Sequence, residues 1–96
     1  MRQTYVVAYD ISDPKRLRKV YKTMRGYGEH VQLSVFRCEL TEMERLELRG
    51  KLGEIIHHRE DQVLFVDVGP AHGRAMTSFS SIGRPYGQAP LLAIVV

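Results

Sequence analysis

Cysteine is nearly absent. Cys38 is the single one in 96 residues, so no internal disulfide and no Cys-x-x-Cys metal or redox motif can form. No apolar run reaches the roughly 18 residues of a transmembrane helix, so no membrane partner is expected. The opening MRQTYVVAYD meets an acid too early for the apolar core of a secretory signal. Together these features predict a cytoplasmic protein. No glycine-rich phosphate loop is present, because the GYG at 26–28 follows a helical pattern rather than opening one. The aromatic signature with which RNA-recognition motifs stack bases is also missing from the first and third strand-like segments. One further absence is local. Residues 14–28 hold Lys15, Arg16, Arg18, Lys19, Lys22 and Arg25 and no acid, so with a net charge of +3 the remainder carries −3. A basic segment on a mildly acidic chain points to a polyanion partner. The competing reading is a solvated helix face.

What is present reads as one domain spanning residues 1–96. A chain of this length buries a modest core, which oligomerisation commonly supplements. TYVVAY at 4–9 is apolar and β-branched enough for a buried strand. Asp13 is placed to cap a helix, with Pro14 at its first position, where a missing N–H costs nothing. That helix should run to about Arg25 and stop at Gly26. Its apolar stripe is Leu17, Val20, Tyr21 and Met24, and Lys15, Arg18, Lys19, Lys22 and Arg25 fall on the opposite side. In the next segment Val31, Leu33 and Val35 alternate with polar residues, and then the apolar set becomes Phe36, Cys38 and Leu40. The parity slips by one, which requires a break at 34–36 and gives two short strands or one bent strand. TEME at 41–44 is a capping box for a second helix running to about His57, with Leu48, Leu52, Ile55 and Ile56 buried. Gly50 and Gly53 would weaken that helix or allow close packing. Residues 61–69 form the next strand. The order βαββαβ predicts an α+β, ferredoxin-like sandwich. Residues 69–90 are rich in glycine and proline. The chain then ends in LLAIVV, an extra strand too apolar to lie exposed at an edge. The tail at 84–96 is therefore expected to pack on a partner protomer.

The residue that the structural roles do not absorb is Asp10. It ends the first strand, beside the basic helix, while Asp13 already starts that helix. Strand-end loops favour ligand-binding groups, though an Asx-turn would explain Asp10 equally. A lone carboxylate is a poor Mg²⁺ site, since one or two carboxylates with waters and phosphate oxygens are usual. A twofold dimer with the first-strand ends near its axis would supply Asp10 from both protomers. That arrangement, with the basic face holding phosphates, is suited to phosphodiester hydrolysis. No base-reading element is visible, so weak sequence preference and salt-sensitive binding are expected. His57 and His58 are adjacent and point apart, so they do not chelate. Cys38 reads as a small core residue. Ser34, at the parity break, could contact phosphate or tie up a turn. Phe36 could be core or a stacking platform.

Taken together, YDIS at 9–12 followed by Asp13, the basic first helix, VQLSVF at 31–36, LTEME at 40–44 and SIGRPYG at 81–87 make a pattern. It resembles the family of small CRISPR-associated adaptation proteins and endoribonucleases (Cas protein two) over nearly the whole chain. The resemblance implies a ferredoxin-like homodimer whose C-terminal strand packs on the partner. It implies a CRISPR integrase partner, bridged by the dimer along a prespacer duplex. It further implies Mg²⁺-dependent nuclease activity, on single-stranded RNA in some members and double-stranded DNA in others. By position, the family's metal-binding acid falls on Asp10, its second-strand functional region on Ser34 and Phe36, and its helix-one bases on Arg16, Arg18 and Lys19. Lys22 extends the same basic face. His30 stands where some members carry an arginine. Two expectations of different class follow: a metal-dependent endonuclease built on paired Asp10, or a non-catalytic duplex-binding scaffold for the integrase. A ligand-binding regulatory domain of the same fold is a third, against which the basic face argues.

Overall fold

Asp13 caps the first helix: its carboxylate accepts the Arg16 N–H at 2.9 Å, and Pro14 occupies the first turn. In the computed structural model, which describes residues 1–73 and 78–86, the elements are β1 (Gln3–Asp10), α1 (Pro14–Arg25), β2 (Gly28–Gln32), β3 (Val35–Leu40), α2 (Glu42–Ile55) and β4 (Gln62–Pro70). The capping box at the start of α2 closes as expected. The Thr41 hydroxyl accepts the Glu44 N–H at 3.1 Å, and the Glu44 carboxylate accepts the Thr41 N–H at 2.9 Å. The four strands form one antiparallel sheet in the order β2-β3-β1-β4, the ferredoxin-like α+β arrangement. The expected extra strand in the tail lies at residues 87–96, outside the described residues, and 84–86 form no strand.

Alternation along the strands decides which face the helices cover. Tyr5, Val7 and Tyr9 of β1 and Phe36, Cys38 and Leu40 of β3 point to one side, where they meet Val20 and Met24 of α1 and Leu48 and Leu52 of α2. Burial pushes the Cys38 thiol up to about 12, which leaves it unreactive. The opposite face carries Val6, Ala8 and Asp10 from β1 and their register partners Val66, Leu64 and Gln62 from β4. Among the described residues no helix covers that face. Leu64 is 51% exposed and Val66 43% exposed.

The parity slip resolves as two strands rather than one bent one, and the break comes slightly earlier than expected. Leu33 and Ser34 form a tight connection, and the β2–β3 register shifts between His30 and Gln32. Leu33 sits at φ +40°, in the left-handed region, which costs an L-residue about 1–2 kcal/mol. Leu17 also departs from the expected stripe. It is 37% exposed rather than buried. Gly50 and Gly53 allow no close packing, since a Cβ at either would meet nothing within 4 Å.

Gly28 is the glycine that the sheet requires. A Cβ there would run into the Cys38 sulfur and lie 2.6 Å from the Arg37 carbonyl oxygen. That carbonyl belongs to the neighbouring strand's backbone and cannot swing aside as a side-chain end could. Gly28→Ala is expected to destabilise the fold by about 1–3 kcal/mol, the usual cost of overpacking. Urea unfolding midpoints of the two proteins measure it; an unchanged midpoint would mean that β2 and β3 are spaced more widely than described.

Candidate metal and nucleic-acid site

Asp10 is the last residue of β1, and alternation turns it to the helix-free face while its neighbour Tyr9 enters the core. It is exposed. Its side chain has no hydrogen bond or ion pair among the described residues. It therefore stands at the rim of the apolar surface formed by Val6, Ala8, Leu64 and Val66. Among the described residues no group of three or more His, Cys, Asp or Glu is gathered for a metal. Each chain thus brings one hard, uncommitted carboxylate. That donor chemistry fits Mg²⁺, which one or two carboxylates hold together with waters and phosphate oxygens.

The basic residues assemble elsewhere. Arg18, Lys19 and Lys22 line an open groove of about 910 Å³, together with Ser34 and the apolar side chains of Tyr9, Leu17, Tyr21 and Leu33. Four of the residues singled out from sequence are thus brought together on the helix side of the β2–β3 turn. Asp10 does not line this groove, although Tyr9 does. Ser34 also has a structural role, because its carbonyl accepts the Tyr9 N–H at 3.0 Å. Burial raises the Tyr9 hydroxyl above its ordinary value, so it stays a neutral hydrogen-bonding group at the groove's edge.

Two residues expected at the site are placed differently. Phe36 is fully buried, packed against Tyr9, Tyr21 and His30 at ring-centre distances of 6.2, 5.7 and 5.0 Å, and presents no face to a base. It is a core residue, because its even position on β3 points into the helix side. Arg16 does not lie on the free basic face. Its Nε donates to Asp61 at 2.7 Å and its Nη2 to Glu60 at 3.2 Å. Arg16 also falls outside the arc of α1 that holds Lys15, Arg18, Lys19, Lys22 and Arg25. His30 is held as well, with its ring nitrogen 2.7 Å from the Leu33 carbonyl.

Asp61 is the residue that sequence reasoning missed. The sequence places Asp61 at the start of the 61–69 strand, yet β4 begins at Gln62 and the Asp61 side chain is wholly inaccessible to solvent. The Arg16 guanidinium, followed by the backbone N–H groups of His57 and Ser12, holds the Asp61 carboxyl well below the usual carboxylate range. Because the folded value is depressed, this contribution to stability is complete above the unfolded value, about pH 4. It is lost as pH falls toward the folded value.

Comparison with known proteins identifies the fold and its relatives. The family model described as CRISPR associated protein Cas2 matches residues 3–75. A CRISPR-associated endoribonuclease Cas2 of Rhodospirillum rubrum is 44% identical over 92 residues, covering 96% of this chain and 89% of that one. One from Geobacter sulfurreducens is 38% identical over 96 residues, covering both chains completely. The crystal structure of Streptococcus pyogenes Cas2 superposes with a TM-score of 0.73 at 32% identity, covering 83% of this chain and 99% of that one.

Proposed function

We propose a function that proceeds from one premise: the chain belongs to the CRISPR-associated Cas2 family. The function is Mg²⁺-dependent endonucleolytic cleavage of phosphodiester bonds, in single-stranded RNA or duplex DNA, by a homodimer that also bridges the CRISPR integrase. The observation that carries it is the placement of Asp10, exposed and uncommitted at the rim of a helix-free apolar sheet face. A surface with Leu64 and Val66 about half exposed favours a covering partner. A second copy related by a twofold axis presents the same patch to itself. An axis near the end of β1 would set the two Asp10 carboxylates side by side. In this proposal the tail at 84–96 covers the partner's β4 edge, because an apolar edge strand left open invites aggregation.

The chain's own residues then divide the work. Both Asp10 carboxylates hold Mg²⁺, which supplies Lewis acidity at the scissile phosphate. Arg18, Lys19 and Lys22 hold flanking phosphates and set the register of the backbone. Ser34 adds a hydroxyl to the same groove. Arg16 and Phe36 act from behind this surface, one as an anchor and the other as core.

One observation favours the second reading, a non-catalytic duplex-binding scaffold. The groove that gathers the bases lies on the helix side of the sheet, and Asp10 turns to the other side. Phosphate binding therefore has no need of the acid. The phosphate role is tested by salt titration of duplex DNA binding. Each of Arg18→Ala, Lys19→Ala and Lys22→Ala is expected to reduce the slope of log affinity against log salt by about 0.9. Asp10→Ala is expected to leave that slope unchanged. Unchanged slopes in all three base variants would remove the groove from the nucleic-acid interface.

A further inference from the structure

The Asp61 carboxylate ties its own loop, through His57, to residues 12–16 at the start of the chain. Its Oδ1 accepts the Ser12 N–H at 3.0 Å, the Ser12 hydroxyl at 3.0 Å and Arg16 Nη2 at 3.2 Å. Its Oδ2 accepts Arg16 Nε at 2.7 Å and the His57 N–H at 2.8 Å. A buried carboxylate is costly unless its lone pairs are filled, and these contacts fill them. Helix α1 does not need this arrangement, because Asp13 and Pro14 already start it. Two of the five contacts instead fall on Ser12, in the short link between β1 and α1, two residues after Asp10.

Asp10 is bracketed as a result. On one side its cross-strand partner is Gln62, the residue that follows Asp61. On the other, Ser12 is pinned to Asp61 through both its N–H and its hydroxyl. Arg16, outside the basic arc, pairs with Asp61 at 2.7 Å, and Glu60 joins it at 3.2 Å. We propose that Asp61, acting through Ser12 and Arg16, is the positioning residue for Asp10: it fixes the link that aims the Asp10 carboxylate and touches neither metal nor nucleic acid itself. The inference rests on Asp10 being the metal-binding acid and adds the device that pre-organises it. Partners behind a metal ligand typically set about 10–100-fold of metal affinity or activity.

The test uses the dimer without nucleic acid and then with it. Asp61→Asn keeps the side-chain volume and removes the charge. Ser12→Ala removes one exposed hydroxyl and leaves the Arg16–Asp61 pair in place, so it folds even if the first variant does not. Calorimetric Mg²⁺ titration is expected to show affinity reduced about 10-fold for Asp61→Asn, and a smaller loss of the same sign for Ser12→Ala. Amide hydrogen exchange at Asp10 and Ile11 in the metal-free protein should quicken in both. At a temperature where circular dichroism finds each variant folded, excess Mg²⁺ should restore cleavage to near the parent rate. A merely destabilised fold would not give that metal-specific rescue. Parent-like Mg²⁺ affinity and exchange in a folded variant, with Asp10→Ala losing Mg²⁺ binding, would overturn the positioning role and leave the Asp10 reading intact. Unchanged Mg²⁺ binding in Asp10→Ala would overturn that reading and the inference with it.

Discussion

Asp10→Ala is expected to lower Mg²⁺-dependent phosphodiester cleavage by at least about 100-fold, since residues behind a metal ligand alone account for about 10–100-fold and Asp10 is the proposed ligand. The same change should leave stability within about 0.5 kcal/mol, as for other surface substitutions away from structural contacts. Both expectations come from one fact: the carboxylate is exposed, with no side-chain bond to its own chain among the described residues. Asp10→Asn should behave alike, because it keeps the shape and loses the charge that Mg²⁺ requires. Single-turnover cleavage of single-stranded RNA and of duplex DNA, each with an EDTA blank, measures the loss. Cleavage within a few-fold of the parent would show that the acid is a structural loop residue. Spacer acquisition in cells carrying Asp10→Ala then separates the two readings. Cleavage lost with acquisition kept supports the scaffold as the biological role.

Phe36→Ala is expected to cost about 3–5 kcal/mol, the usual loss for a fully buried phenylalanine. The ring is inaccessible to solvent and packs between α1, β1 and β2 through Tyr21, Tyr9 and His30. A small domain holds about 5–15 kcal/mol in total. Each kcal/mol shifts the melting midpoint by about 4–8 °C at this size, so a fall of at least about 12 °C should be seen. Nucleic-acid affinity measured in the cold, where the variant stays folded, should change little. The opposite pattern, an unchanged midpoint with affinity lost, would return Phe36 to the surface as a stacking platform.

These two residues also mark how far the sequence could be read. Asp10 stood out because Asp13 and Pro14 already accounted for the helix start, which left one acid without a structural task. The helix caps and the βαββαβ order followed from local signals: a capping box, a proline at the first helical position, and alternation of period two. The parity slip at 34–36 showed that the strand must break or bend, but not that it would turn with Leu33 in a left-handed backbone. Phe36 was ambiguous because an apolar residue beside a break fits a core and a binding surface equally. Only the β1–β3 register, which pairs it with Val7, settles its face. Asp61 left no local trace. Its partners Arg16 and Ser12 lie 45 and 49 residues away, and the strand pattern at 61–69 shows nothing of a buried latch at its first position. Gly28 was hidden for the same reason, since its need for a missing Cβ comes from Arg37 and Cys38 on the next strand.

The claim on which the rest depends is that one metal ion is shared by two copies of Asp10. A mixed dimer tests it most directly. Parent chains and Asp10→Ala chains carrying different affinity tags are co-expressed, and the heterodimer is isolated through both tags. The account expects the heterodimer to cleave at a small fraction of the parent rate, close to that of the Asp10→Ala homodimer, because one carboxylate cannot complete the shared site. A heterodimer with half the parent activity at the same Mg²⁺ requirement would contradict it, since each protomer would then be working alone.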